Sequence, residues 1–327
     1  MRQVNQVKQK PSILRWVGTL IAMALILYLL TQQGWEEILS AIQKIGFTRI
    51  GLALLFVLGS RFSIIARWYT LLTAVGEPIN KRDVAEITFA GLFASNFLPS
   101  TVGGDVVRLA GAIQKGGSGT ISGASLIVDR LVGMAGMLLV SPIGFYYWLS
   151  AGIIFPGAGM GLPLFLAVEA GDGGSFLRKT FGKLRGLIGK VWDAFSRWWQ
   201  NPKALFIALF YTLSHMGFLF LSWQLLLTGM GESLSYWQIG GLWTLVYLIT
   251  LVPISINGLG VQEVAIVFFY ATVGGVAETS ALSMALLART LQMLMSLPGA
   301  FFLPRILPEL KKKSGFPSID LGSFRDF

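Results

Sequence analysis

Long apolar segments dominate this sequence and restrict it to folds that can lie within a lipid bilayer. The segments "ILRWVGTLIAMALILYLL" (13–30) and "ALFIALFYTLSHMGFLFLSWQLLL" (204–227) approach or exceed the roughly 20 residues that an α-helix needs to cross a membrane. Backbone groups inside a bilayer must be hydrogen-bonded internally, and the sequence lacks the alternating pattern of a β-barrel. A hydrophobic content of 54% and a mean hydropathy of +0.67 agree. We therefore predict an all-α polytopic membrane protein.

The apolar segments predict about six full transmembrane helices and two broken ones. The full spans fall near 13–31, 49–74, 120–149, 153–170, 204–229 and 278–303. The stretches 83–115 and 234–275 are each interrupted, by "LPSTVGGDVVR" (98–108) and "VPISINGLGVQE" (252–263). Proline removes a backbone donor and glycine permits tight turns, so each stretch predicts two helices joined by a non-helical link.

The two interrupted stretches resemble one another. In each, a proline is followed by a glycine-bearing pair and then by an acid, Asp105 or Glu263. An arginine follows the acid after 25 or 26 residues, at Arg130 and Arg289. Two such units about 154 residues apart predict an internal repeat.

The distribution of basic residues predicts the topology. The N-terminal tail, 80–83, 171–203 and the C-terminal tail are basic, whereas the loops 150–163 and 228–237 contain no lysine or arginine. Basic segments favour the cytoplasmic side, so both termini are expected there. The chain then crosses consistently only if 83–115 enters and returns on the cytoplasmic side and 234–275 on the outer side. Two re-entrant hairpins in an inverted repeat are typical of transporters, which bind their substrates at such breaks.

We predict one membrane domain between two tails. The tails are 1–12 and 306–327, and the domain, 13–305, comprises repeat one (49–149), an interfacial basic helix (176–199) and repeat two (204–303). Apolar residues recur at three- and four-residue steps in the interfacial helix, and lysines and arginines fill much of the remainder. This pattern is typical of a helix on the membrane surface, and we expect a connector rather than a substrate-capturing element. The first span is expected to be a retained signal anchor.

Ionisable side chains within apolar segments indicate a functional site, because each costs at least ~2.5–3.5 kcal/mol at a helix centre. They are Arg61, Arg67, Asp105, Arg108, Asp129, Arg130, Glu263 and Arg289. Five arginines against three acids favour an anionic partner, since a guanidinium holds phosphate bidentately. Helices that begin after Gly104 and Gly260 would add backbone N–H groups. The sequence therefore predicts a site for a phosphate-bearing amphiphile.

The same charges could instead pair with one another and hold the broken helices in place. The pairs would be Asp105 or Asp129 with Arg108 or Arg130, and Glu263 with Arg289. Arg61 and Arg67 could extend toward the membrane surface. Trp68, near a span end, is expected in the aromatic belt at the interface.

Other chemistry has little support. Cysteine is absent and His215 is the single histidine, so we expect no metal site and no cofactor, and we interpret His215 as a packed residue. The net charge of +10 is carried at the ends of apolar segments, which does not favour nucleic-acid binding. No hydrolase motif or soluble catalytic domain is recognisable, so the chain is not expected to be an enzyme.

Four segments together resemble a known family. They are "NFLPSTVGGDVVRL", "VDRLVGM", "PISINGLGVQE" and "ARTLQMLMSLPGAFF". They are similar to signature segments of the flippase-like membrane region of bacterial lysylphosphatidylglycerol synthases, which many stand-alone bacterial and archaeal membrane proteins share, and the similarity covers roughly residues 12 to 305. Asp129 stands where the family often has glutamate, and Asn257 where it often has glycine.

The resemblance implies a protein of the bacterial or archaeal cytoplasmic membrane that moves an anionic phospholipid or a polyprenyl-phosphate sugar between leaflets. The aminoacyl-transfer domain of the full-length synthases is not in this sequence, so lipid lysylation is not expected. Arg108, Arg130 and Arg289 would hold the phosphate. The expected substrate-binding residues are Asn96, Pro99, Gly103, Gly104, Asp105, Arg108, Arg130, Gly258, Gly260, Glu263 and Arg289.

Two other classes of function stay open. A membrane-embedded transferase acting on a lipid phosphate would use Asp105 or Glu263 as base and would yield a covalently altered lipid. A non-transporting scaffold would bind an envelope glycosyltransferase or a lipid-modifying enzyme. In a scaffold the arginines within the spans would be dispensable, whereas the basic helix 176–199 would be needed for partner contact.

Overall fold

The computed structural model describes residues 35–97, 103–152, 198–251 and 258–314, and within these ranges the chain is helical, with turns and short non-helical links but no strand. The all-α prediction is thereby confirmed. The helices are α1 Trp35–Ile45, α2 Phe47–Ala74, α3 Lys81–Phe97, α4 Gly103–Gln114, α5 Gly119–Ser150, α6 Pro202–Gly229, α7 Tyr236–Thr250, α8 Val261–Val267, α9 Glu278–Ser296 and α10 Gly299–Ser314. A π-helix, Phe268–Val273, continues α8 directly.

Three of these helices, α2, α5 and α6, are long and apolar enough to cross a membrane, with mean hydropathies of 1.7, 1.7 and 1.9. They coincide with the predicted spans 49–74, 120–149 and 204–229. A fourth crossing requires α9 and the start of α10 to act together as a bent pair. The predicted spans 13–31 and 153–170, and the interfacial helix 176–199 apart from its last two residues, lie outside the described ranges.

The segment 278–303 does not form the straight helix that its hydropathy predicts. It breaks between Ser296 and Gly299, and the two helices are bent by 54°. Pro298 lacks the backbone donor that would continue the helix. Gly299 lies so close to the carbonyl of Phe89 that no side chain would fit there. The break therefore lets α10 turn and pack against α3 and α4.

Helices α2 and α6 form an antiparallel pair at the centre of the molecule. Near the middle of both helices, Ser60 Oγ lies 2.7 Å from His215 Nδ1. Farther along α2, the carbonyl of Leu71 accepts a hydrogen bond of 2.9 Å from the indole of Trp198, which precedes α6. As the residue number rises along α2, from Ser60 to Leu71, the number of the contacted residue falls from His215 to Trp198. The two helices are therefore antiparallel, and α6 begins beside the end of α2.

The two ends of this pair differ in charge. We call the end where α2 stops and α6 begins the basic end, because five cationic residues lie there. They are Lys81, Arg82, Lys115, Lys203 and Arg305. At the opposite end, Lys44 and Arg49 flank the start of α2, while Glu232 follows α6 and accepts a hydrogen bond from the backbone N–H of Ala277.

The first interrupted stretch folds as an antiparallel helix pair, in which the start of α3 and the end of α4 both lie at the basic end. Asp83 at the start of α3 forms an ion pair of 2.5 Å with Lys115 after α4. At the other end of the pair, Gly91 lies against Gly104. The link between the helices, 98–102, lies outside the described residues.

The second interrupted stretch folds in the same way and opens at the opposite end. Tyr270, in the π-helix, donates a hydrogen bond of 2.8 Å to the carbonyl of Ile239 near the start of α7. Helix α7 begins shortly after α6 ends, and Ala277 returns to Glu232 beside that point. The two helix pairs thus enter from opposite ends of the α2–α6 pair.

Candidate functional site

A buried carboxylate, Asp129 on α5, lies at the centre of the site. Its side chain is 2% exposed and accepts a hydrogen bond of 2.7 Å from Nε of Arg67. Its other oxygen accepts two hydrogen bonds of 3.1 Å from the guanidinium of Arg108. Arg67 also donates to the hydroxyl of Thr212 at 3.2 Å. The Asp129 carboxylate therefore joins α2, α4 and α5, and Arg67 extends the network to α6.

A second carboxylate, Asp105, extends this cluster to the surface. It is the third residue of α4, and it accepts a hydrogen bond of 2.6 Å from Nε of Arg130 on α5. Its other oxygen lies 3.5 Å from Arg108. The side chain of Arg130 is 64% exposed, whereas that of Arg108 is 11% exposed. Three guanidiniums against two carboxylates leave this cluster, which we call the α4 cluster, with an excess positive charge.

Trp68 covers one face of Arg108. The guanidinium carbon lies 4.2 Å from the centroid of the indole ring, within the range of a cation–π interaction. Trp68 is fully buried and donates a hydrogen bond of 3.0 Å to Ser125 Oγ. The prediction that Trp68 lies in an interfacial belt is wrong, because the buried arginine and the serine together take up both the face and the N–H of the indole.

The second interrupted stretch carries a smaller charge cluster, which we call the α8 cluster. Glu263, the third residue of α8, is 2% exposed and is paired with Nε of Arg289 on α9. Arg289 also donates to the side-chain oxygen of Gln262 at 3.4 Å. The other Glu263 oxygen accepts a hydrogen bond of 2.8 Å from the backbone N–H of Gly260, which has a φ of 81°. This N–H is thus engaged by Glu263 and does not form part of an open cradle.

The two clusters share one plan. Each acid is the third residue of the helix that follows the break, and each pairs with Nε of an arginine on the next long helix. The difference is access, since the Arg130 side chain is 64% exposed and the Arg289 side chain 17% exposed. The similar spacing of acid and arginine in the sequence, 25 and 26 residues, therefore corresponds to equivalent contacts.

The remaining predicted site residues have different surroundings. Asn96 donates a hydrogen bond of 2.9 Å to Ser296 Oγ and ties the end of α3 to the end of α9. Gly103 begins α4, and Gly104 packs against α3. Gly258 lies at the start of the described segment before α8 with a φ of 68°. Pro99 lies outside the described residues.

An apolar groove adjoins the α4 cluster. It lies between α4 and α5 and has a volume of about 220 Å³. The residues that line it are Asp105, Val106, Leu109, Gly123, Leu126, Ile127 and Arg130. Charge is confined to the Asp105–Arg130 pair, so the groove can hold a molecule with an anionic group and an apolar chain.

Sequence reasoning left Arg67 and Asp129 out of the predicted binding set, although both were recognised as ionisable. The predicted extension of Arg61 and Arg67 to the surface is wrong, because Arg61 is 5% exposed and the Arg67 side chain 11% exposed. The adjacent pairs Arg67–Trp68 and Asp129–Arg130 were the available signals. The sequence could not show that Arg67 contacts Asp129, because this contact depends on the packing of α2 against α5, and no local sequence pattern predicts that packing.

The family model for the lysylphosphatidylglycerol synthase TM region matches residues 15–299. This range includes both helix pairs and both charge clusters. A search of curated proteins finds no match to the chain.

Proposed function

Since the chain belongs to the family of the lysylphosphatidylglycerol synthase transmembrane region, we propose that it translocates an anionic lipid between membrane leaflets. The cargo is an anionic phospholipid or a polyprenyl-phosphate sugar. The observation that carries the proposal is the α4 cluster, in which an excess of guanidinium groups lies beside an apolar groove. Guanidiniums bind phosphate, and the groove accommodates the start of an acyl or prenyl chain.

The proposed membrane arrangement is an inverted repeat in the cytoplasmic membrane with about six full spans. Helix α4 has 12 residues, and α8 with the π-helix covers only Val261–Val273. Each is at most about 20 Å long, too short to cross a hydrocarbon core of about 30 Å. The α3–α4 and α7–α8 pairs are therefore re-entrant hairpins that enter from opposite sides. Placing the basic end in the cytoplasm satisfies the positive-inside rule and puts both termini there.

Binding in this mechanism is an exchange of ion-pair partners. In the empty site Asp105 neutralises Arg130 and Glu263 neutralises Arg289. A lipid phosphate replaces Asp105 as the partner of Arg130, and the released carboxylate takes up a proton or remains beside Arg108. Charge-assisted hydrogen bonds of similar strength are exchanged, so the headgroup can enter and leave.

The proposal predicts that Arg130→Gln abolishes lipid movement while the protein remains folded. Exchange of labelled phosphatidylglycerol and of a labelled polyprenyl-phosphate sugar is measured in vesicles that contain the purified protein. We expect the rate to fall by at least about tenfold, which corresponds to about 1.4 kcal/mol of lost interaction. The matched control is Arg82→Gln at the basic end, whose side chain is 88% exposed and pairs only with Glu86 among the described residues.

Other outcomes would select another function. A covalently altered lipid in the vesicles would indicate a transferase with Asp105 or Glu263 as base. If the folded wild-type protein moves neither lipid, and cells with Arg130→Gln keep normal envelopes, the chain is a scaffold for an envelope enzyme. Normal exchange in Arg130→Gln would remove this residue from the site.

A further inference from the structure

One buried arginine, Arg61 on α2, has no carboxylate partner among the residues that the structure describes. It is 5% exposed, and its Nε has no hydrogen-bond partner. Its Nη2 lies 3.4 Å from the side-chain oxygen and 3.5 Å from the carbonyl of Gln292 on α9. Both distances are long for hydrogen bonds from a guanidinium.

This arrangement is unfavourable for the empty protein. Burying a charge costs several kcal/mol unless a counter-charge and hydrogen bonds compensate, and Gln292 supplies only neutral oxygens. The other arginines of the two clusters, Arg67, Arg108, Arg130 and Arg289, each pair with a carboxylate. Arg61 thus differs from them in having an unmet demand for an anion.

The position of Arg61 relates it to both clusters. Trp68, whose indole ring stacks against Arg108, lies seven residues farther along α2, on the same face and about 10 Å along the helix axis. On α9, Gln292 lies one turn beyond Arg289, on the same side of the helix as that arginine. Arg61 is also next to Ser60, where α2 crosses α6. It therefore lies between the α4 and α8 clusters.

We propose that Arg61 is a third anion-binding position, which receives the phosphate of a lipid headgroup between the two clusters. The inference rests on the proposed function and extends it, since it assigns a buried binding position between the two clusters in addition to the exposed one at Arg130. The open Nε and the weakly held Nη2 would donate to two phosphate oxygens in the bidentate manner of a guanidinium. The ligand chemistry is a phosphate ester with a net negative charge.

The test separates anion binding from a structural role, because the two predict opposite signs. Thermal unfolding of the purified protein in detergent is measured alone and with phosphatidylglycerol, phosphatidylcholine or inorganic phosphate. We expect Arg61→Gln to raise the melting temperature without lipid, since it removes an uncompensated buried charge, and to lose most of the stabilisation by phosphatidylglycerol. Arg61→Lys should keep part of that stabilisation. The matched control, Arg49→Gln, changes an exposed arginine on the same helix and should alter neither quantity.

A lower melting temperature of Arg61→Gln without lipid, together with an unchanged phosphatidylglycerol response, would overturn the proposal. If Arg61→Gln does not fold, Arg61→Lys is used instead. Wild-type stabilisation of Arg61→Lys by phosphatidylglycerol, together with wild-type leaflet exchange, would also overturn the proposal. Equal stabilisation by inorganic phosphate would overturn the lipid as the source of the anion, and equal stabilisation by phosphatidylcholine would overturn anion binding altogether. Leaflet exchange by the wild-type protein is measured in parallel. If the protein binds anionic lipid through Arg61 but moves no lipid between leaflets, the proposed translocation is refuted and the anion site at Arg61 is not.

Discussion

At the residue scale, the charges of the α4 cluster form one connected system in which burial determines each contribution. Asp129 is 2% exposed and carries two arginines, whereas the Asp105–Arg130 pair reaches the surface through a side chain that is 64% exposed. A buried carboxylate between two buried cations cannot be removed without leaving both uncompensated. A surface pair is screened and contributes little. Asp129 is therefore expected to serve stability, and Arg130 binding.

We predict that Asp129→Asn destabilises the protein by about 3–5 kcal/mol, because Arg67 and Arg108 lose their shared counter-charge. The melting temperature in detergent should fall by several degrees, and less folded protein should be recovered. The matched control is Glu86→Gln, which breaks the pair with Arg82, whose side chain is 88% exposed, and should cost about 0–1 kcal/mol. Equal stability of Asp129→Asn and wild type would contradict the structural role of this carboxylate.

The sequence leaves open whether Asp105 or Asp129 pairs with Arg108 or Arg130, and it offers Glu263–Arg289 as the second pair. The observed pairs, Asp105–Arg130 and Glu263–Arg289, join residues 25 and 26 positions apart and occupy equivalent places in the two helix pairs. The contact of Arg67 with Asp129 joins residues 62 positions apart and exists only because α2 packs against α5. Spacing within one unit is visible in a sequence, whereas the packing of one unit on another is not. Arg61 was recognisable as ionisable, but its lack of a partner is a tertiary property.

At the scale of elements, close backbone contact holds the helix pair α3–α4 together. A Cβ on Gly104 would lie 2.6 Å from the carbonyl oxygen of Gly91 and would overlap Ser95 Oγ. Without side chains at these positions, the helices approach until Arg108 lies against Gly91 as well. Glycine at Gly104 thus determines how deeply the α4 cluster is set into the molecule.

We predict that Gly104→Ala lowers stability by about 1–3 kcal/mol, since the overlap is with backbone and can be relieved only by separating the helices. Lipid exchange should fall with it, because Asp105 and Arg108 move with α4. The control is Gly51→Ala on α2, where a Cβ would meet no atom within 4 Å and helix propensity favours alanine by roughly 0.5–1 kcal/mol. Unfolding midpoints of the two variants that shift by the same amount would contradict the close packing of α3 on α4.

Proline and glycine in 83–115 and 234–275 were sufficient to predict two broken helices, but the break within 278–303 was not foreseen. Its signal, the Pro298–Gly299 pair, lies between apolar residues and was read as part of a span. What makes it a bend is the approach of Gly299 to the carbonyl of Phe89, a contact between segments about 200 residues apart. Local breakers predict that a helix stops, and tertiary contacts decide how far it turns.

At the scale of the whole molecule, the two ends of the α2–α6 pair carry different charge, and this difference predicts how the protein is oriented in the membrane. Arg82 lies at the basic end, shortly after α2. Ser233 lies at the opposite end, shortly after α6, and is exposed. The positive-inside rule predicts that Arg82 lies on the cytoplasmic side and Ser233 on the outer side.

We predict that Ser233→Cys reacts with a membrane-impermeant maleimide in intact cells and that Arg82→Cys reacts only after the membrane is opened. The chain has no native cysteine, so each label reports one position. Both residues are exposed, which makes access to the reagent the only difference between them. Labelling of both variants in intact cells, or of Arg82→Cys alone, would contradict the proposed orientation.

The unequal access of Arg130 and Arg289 has a further consequence. The side chains are 64% and 17% exposed, although each is held by an acid in the same place of its own half. The proposed inverted repeat predicts a second state, in which the two halves exchange their conformations without any new fold. In that second state Arg289 is the open position and Arg130 the occluded one. In the proposed mechanism, the present structure would be one of two conformations that face opposite leaflets, and the change between them would close one arginine to the lipid as it opens the other.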